Sequence, residues 1–196
     1  MSILTLAGSP SSRSRSSALL RHAAQRLEQR GLSVREMGLR DIPAEELIEG
    51  HYTSHAAAAL RRRVEGCGAV LISTPVYKAS FAGGLKAVLD LLDEKALADK
   101  IVLPIATGGS PAHLLALEYS LKPVLSSLGA RHILAGVYAT DRQVTFDEHG
   151  RASIDDDVLH RLDDAVDRVH RHLYATRPAA HAVDLGPLAA SGQLSV

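Results

Sequence analysis

The feature that most constrains this chain is a regular exchange of short apolar runs for stretches with helical spacing. Ile3-Leu4-Thr5-Leu6-Ala7 is an apolar run stopped by Gly8-Ser9-Pro10, which reads as a buried strand and a turn. Leu19, Leu20, Ala23, Ala24 and Leu27 then recur at helical spacing over 17–30, and Gly31 supplies a stop. The same reading gives strands over 32–37, 69–73, 100–106 and 132–139. It gives helical segments over 43–66 in two pieces, and over 85–92, 111–128 and 155–174. Thr74-Pro75 is expected to close the third strand, and Pro104 to interrupt the fourth late. Residues 1–175 read as one domain, and 176–196, with Pro178, Gly186, Pro187 and Gly192, as an irregular tail.

Strand and helix alternating five times argue for an α/β fold with a parallel sheet and helices on both faces. Five strands favour the flavodoxin-like order 2-1-3-4-5. Composition agrees. Hydrophobic residues make up 46% and aromatics 4%, with no Trp, so Ala, Val, Leu and Ile must fill the core. That suits strands buried on both faces. Lys plus Arg equals Asp plus Glu at 22 each, so nothing demands a nucleic-acid or anionic-membrane surface, and one barrier to self-association is absent. The single Cys, Cys67, forms no internal disulfide and reads as a small buried hydrophobe in a reducing compartment, hence the cytoplasm. No signal peptide is read, and no apolar stretch approaches the ~18–20 residues of a membrane span.

In this fold ligands bind beyond the C-terminal ends of the strands. The loops after strands 1, 3 and 4 are therefore the candidates. The first, Gly8 to Ser17, enters a helix N-terminus, where free N–H groups favour an anion. Ser9, Ser14, Ser16 and Ser17 add hydroxyls, and Arg13 and Arg15 add charge. It lacks both the Gly-Lys-Ser/Thr of a P-loop and Gly-x-Gly-x-x-Gly. A solvated N-cap is the plain alternative. The second loop puts Tyr77 beside Pro75 and Val76, as a cover for a flat ring or as a core-capping Tyr. The third, Thr107-Gly108-Gly109-Ser110, offers backbone N–H groups to a ring edge, or is a tight turn. His51 and His55 stand i, i+4, but no third metal ligand is apparent, and no metal is expected. His113 follows the third loop and reads equally as a ligand contact or a surface residue.

Several stretches together resemble the NADPH-dependent FMN reductase family, in particular members that partner alkanesulfonate monooxygenases. They are residues 4–10, Ser14-Arg15-Ser16-Ser17, residues 74–79, Leu85-Lys86, residues 102–109, residues 112–116 and residues 121–125. The resemblance implies FMN and NADPH as the nucleotides. Ser9, Ser14, Arg15, Ser16 and Ser17 would hold the phosphate. Pro75, Val76 and Tyr77 would contact the ring and ribityl chain, and Thr107, Gly108, Gly109 and Ser110 the ring edge. It further implies hydride transfer from the nicotinamide to flavin N5 with no catalytic side chain, a homo-oligomer (dimer or tetramer), and an FMNH2-dependent monooxygenase as partner. Pro123 removes a helical bond near Tyr119. In the family a Tyr insertion makes a π-bulge there, so Tyr119 is expected at an oligomer interface close to the flavin. The competing readings are a flavin-bound quinone or azo reductase and a non-enzymatic electron carrier.

Overall fold

A computed structural model describes residues 2–175; the expected tail lies outside them. Strand and helix alternate in chain order: β1 (Ser2–Ala7), α1 (Arg15–Gln29), β2 (Ser33–Gly38), α2 (Ala44–Ile48), α3 (His55–Glu65) and β3 (Cys67–Tyr77). After these come β4 (Ser80–Phe81), α4 (Gly83–Asp90), β5 (Ile101–Gly108), α5 (Lys122–Ser127), β6 (His132–Ile133), β7 (Val137–Thr140), β8 (Val144–Phe146), β9 (Ala152–Ile154) and α6 (Asp156–Ala175). The main sheet runs β2-β1-β3-β5, then β6 and β7 as two pieces of one fifth strand, all parallel. This is the expected order, with β4 added as a short antiparallel hairpin partner of β3.

Each face of the sheet carries its own core. Leu4, Leu6, Val70, Ile72 and Val102 pack with Leu60, Val64, Leu85, Leu89 and Leu125 of α3, α4 and α5. Ile3, Leu71, Leu103 and Ile105 pack with Leu19, Ala23 and Leu27 of α1 and with Leu162, Val166 and Val169 of α6. Polar groups fasten α1 to α6 at the rim: Asp163 takes both His22 and Arg26, and Asp167 takes Arg30. Helix α1 ends in a reverse turn, with Gly31 (φ +78°) donating to Glu28 O and Leu32 to Leu27 O.

Besides the added β4 and β8–β9 and the divided fifth strand, four expected segments take other bounds or another form. The third strand continues through Pro75 to Tyr77, and the fourth through Pro104 to Gly108. Both prolines stand where their missing N–H has nothing to reach. Ser73 O accepts from Gly8, so odd residues at this end of β3 point toward β1, and β1 has ended before Pro75. Even residues of β5 point toward the fifth strand, as Val102 O accepting from Leu134 and Gly108 O from Asp141 show. Pro104 therefore faces the gap between β6 and β7, where its carbonyl and ring lie against Gly136. Across that gap the register changes from Val102↔Ile133 to Ile105↔Val137.

The third departure is 111–128. It is a 3-10 turn (Pro111–Leu114), a π turn (Leu117–Leu121) and α5 rather than one helix. The fourth is the first helix, which starts at Arg15, because the Ser14 side chain caps it.

Candidate functional site

The end of β1 is pinned from two sides. Gly8 N–H donates to Ser73 O (2.8 Å). A Cβ at Gly8 would lie 2.7 Å from Leu85 Cβ and 2.9 Å from Ser73 O, so only glycine lets α4 seat against this strand end. The chain then turns into α1. Ser9 Oγ accepts from Ser11 N–H (3.2 Å), and Ser14 Oγ accepts from Ser17 N–H (3.3 Å). The first turn of α1 holds no acidic residue. Its leading N–H groups, which no helical carbonyl can reach, and the helix dipole offer an anion a positive terminus with no competing carboxylate in that turn.

The basic residues of this loop are tethered elsewhere. Arg15 Nε donates to Val144 O (2.8 Å) and lies 3.9 Å from Asp141. Arg13 donates to Asp147 O (2.9 Å) and stacks 4.9 Å over Phe146. The β8–β9 hairpin thus holds the loop between β1 and α1 from outside.

The second loop is the β3–β4 hairpin. Its two turn residues, Lys78 (φ +50°) and Ala79 (φ +63°), are both left-handed without being glycine. That costs about 1–2 kcal/mol per residue. Thr74 steadies the hairpin's base, its hydroxyl accepting from Ala82 N–H (2.9 Å). Tyr77 stands out from it, 52% exposed.

The third loop is closed in by Tyr138. Its hydroxyl donates to Ser110 O (2.6 Å), and a Cβ on Gly108 would come within 2.7 Å of that hydroxyl and 3.2 Å of His113 Nδ1. Burial, with the Asp141 charge adding to it, pushes the Tyr138 phenol above its ordinary value, so the hydroxyl stays a donor. A Cβ at Gly109 would meet only Asp141, at 3.8 Å. The protein alone does not require glycine at that position, which is open toward the cleft.

These loops enclose a cleft of about 180 Å³ at the strand ends, and it brings together Ser9, Ser14, Arg15, Pro75, Val76, Tyr77, Thr107, Gly108 and Gly109. Ser16, Ser17, Ser110 and Tyr119 do not line it. Ser16 is fully buried, its hydroxyl 3.1 Å from Ser14 Oγ. Ser17 lines a neighbouring cleft beside α1 at the C-terminal ends of β1 and β2. Ser110 caps the 3-10 turn and gives its carbonyl to Tyr138. Tyr119 is 79% exposed on the π turn, where Lys122 N–H reaches back to Leu117 O. Asp141, which the sequence reading missed, also lines the cleft. It directly follows the fifth strand, and that position was signal enough. His51 is occupied by Glu49 (2.8 Å), and no group of three potential ligands that could hold a metal occurs among the described residues.

The donor set fits FMN: acid-free N–H groups and buried hydroxyls for a phosphate, an exposed ring at Tyr77, and open backbone at Gly109. The family profile of NADPH-dependent FMN reductases matches residues 1–145. An FMN reductase (NADPH) of Pseudomonas putida is 47% identical over 91% of this chain and 90% of its own length. One of Escherichia coli K12 is 43% identical over 89% and 91%. A solved NADH:FMN oxidoreductase in its apo form superposes with TM-score 0.76 at 36% identity, over 86% of this chain and 87% of that one. Strand order, cleft chemistry and these similarities lead to one conclusion: the chain belongs to the NADPH-dependent FMN reductase family.

Proposed function

We propose that this protein is an NAD(P)H-dependent FMN reductase that supplies reduced FMN to a partner monooxygenase, with alkanesulfonate desulfonation as the reaction served. The observation that carries the reductase reading is the cleft at the ends of β1, β3 and β5, where a serine-lined helix N-terminus stands opposite an exposed Tyr77 and an open Gly109. Bound FMN supplies the chemistry, its N5 accepting the nicotinamide hydride. The protein places it. Ser9 and Ser14, with the α1 N–H groups, receive the phosphate, and Ser16 orients Ser14. Pro75, Val76 and Tyr77 cover one face, while Thr107, Gly108 and Gly109 meet the ring edge. Tyr138 fixes that loop through Ser110. No side chain moves a proton in the hydride step, so no catalytic acid or base is assigned.

Arg13 and Arg15 line the cleft, but each gives one N–H to the β8–β9 hairpin, so the phosphate is met by partly committed guanidinium groups beside hydroxyls and backbone N–H groups. That supports a flavin held loosely enough to leave. Leu114, Leu115 and Tyr119 stand exposed around the π turn, which supports a second copy of the chain docking there, with Tyr119 at the interface. No helix among the described residues is long and apolar enough to cross a membrane, and the lone thiol, Cys67, fits a reducing compartment such as the cytoplasm.

The test is steady-state NADPH oxidation by flavin-stripped protein as FMN is added. Saturable turnover that follows FMN supports the reading. No turnover with free FMN, but fast turnover of a quinone by flavin-loaded protein, replaces it with a quinone or azo reductase. Tyr119→Ala with unchanged flavin exchange and oligomer size removes the role given to Tyr119.

A further inference from the structure

The hairpin carrying Tyr77 is joined to the π turn by a contact outside the cleft. Ser80 Oγ and Ser120 Oγ lie 2.6 Å apart, both half-buried. Ser80 is the cross-strand partner of Tyr77 and directly follows the left-handed pair Lys78 and Ala79. With no glycine at either turn position, the turn is not held by its own preference. The Val76↔Phe81 pairing and the Thr74–Ala82 bond hold the hairpin from within. Among the described residues, the Ser80–Ser120 pair is the one side-chain hydrogen bond tying residues 76–81 to another element. Ser120 lies inside the π turn Leu117–Leu121, next to the exposed Tyr119.

We propose that Ser120 is a positioning residue, and that its hydroxyl bond to Ser80 is the link by which the π turn sets the Tyr77 hairpin for FMN. The link rests on the reading that Tyr77 covers the flavin. It makes FMN affinity depend on whatever rests on Tyr119, since a shift of the π turn reaches the hairpin through this bond.

The experiment compares Ser80→Ala, Ser120→Ala, the double variant and Ser120→Thr, with Tyr77→Ala as reference. FMN affinity is read from the change in flavin fluorescence when free FMN meets flavin-stripped protein, alongside KM for FMN, kcat and Tm. Each alanine variant is expected to raise Kd and KM for FMN by roughly two- to tenfold, the range of one net hydrogen bond. kcat at saturating FMN should change far less. The double variant should be no worse than either single, and Ser120→Thr should restore wild-type affinity. Should one alanine variant not fold, the other breaks the same bond from the opposite side. Unchanged Kd in the alanine variants, with Kd raised in Tyr77→Ala, overturns the link. So does a double variant whose loss is the product of the singles. Unchanged Kd in Tyr77→Ala strikes instead at the assignment of Tyr77.

Discussion

Gly8→Ala isolates the contact that seats the β1–α1 loop on the sheet. The added Cβ would stand 2.7 Å from Leu85 Cβ, where ordinary contact begins near 3.4 Å, a shortfall of 0.7 Å. Ser73 O, at 2.9 Å, falls short by 0.5 Å. Neither atom can rotate away, so α4 or the end of β1 must move. Overpacking of this kind costs about 1–3 kcal/mol, and two rigid contacts place it near the top. Gly8 does not have a positive φ, so the stiffer unfolded chain returns about 0.4–1 kcal/mol. The net loss is about 2 kcal/mol, or about 4–8 °C in Tm for a domain of this size. Thermal melting by circular dichroism measures it, and FMN titration of the same variant should show weakened binding, because the displaced strand end leads into Ser9. Adding Leu85→Ala gives no rescue, since alanine keeps the offending Cβ. A Gly8→Ala protein that melts with the wild type and binds FMN equally well would refute the argument, as would rescue by Leu85→Ala.

Three further outcomes are expected. Ser14→Ala removes the α1 cap at about 1 kcal/mol, which lowers Tm by about 2–4 °C and weakens FMN binding together. Because the Tyr138 phenol is pushed up by burial and then by Asp141, the folded protein keeps this proton where the unfolded chain releases it. The associated stability is complete below the unfolded pKa of about 10 and is lost as pH rises through the folded value, so Tm falls less steeply above about pH 10 in Tyr138→Phe than in wild type. Burial likewise raises the Cys67 thiol, which donates to Val64 O at 3.1 Å. Ellman's reagent at pH 8 should therefore label Cys67 only after denaturant is added.

The sheet order was legible because each core strand is a short apolar run and each connection carries helical spacing, as Ile3–Ala7 and Leu19–Leu27 show. The reach of β3 and β5 was not. Pro75 read as a stop and Pro104 as a late interruption, and only the neighbouring strand decides whether a missing N–H matters. The β8–β9 hairpin escaped because its strands have three residues each and pair only with one another. Its role as anchor for Arg13 and Arg15 was hidden with it. In the cleft, loop position found Ser9, Tyr77 and Gly109. Residue type alone could not separate a hydroxyl that faces the cleft from Ser16, which faces Ser14. From the residues, Pro123 marked the helix near Tyr119 as irregular; the π turn itself came from the family resemblance.

The one-residue change of register opposite Pro104 settles which way Tyr138 looks. Before the gap, odd-numbered Ile133 packs toward α3–α5, and even-numbered Leu134 toward α1 and α6. After it the parity is reversed: Val137 and Ala139 face α1 and α6, and even-numbered Tyr138 faces the other side. Run straight at its present length, the strand would keep its first alternation, and the Tyr138 ring would be driven among Leu19, Val166 and their neighbours. A loop at the ligand end of the sheet is thus held by a miscount at its middle. Deleting one residue from 134–136 would remove the irregularity, keep Val137 opposite Ile105 and leave Tyr138 on the side of Ser110.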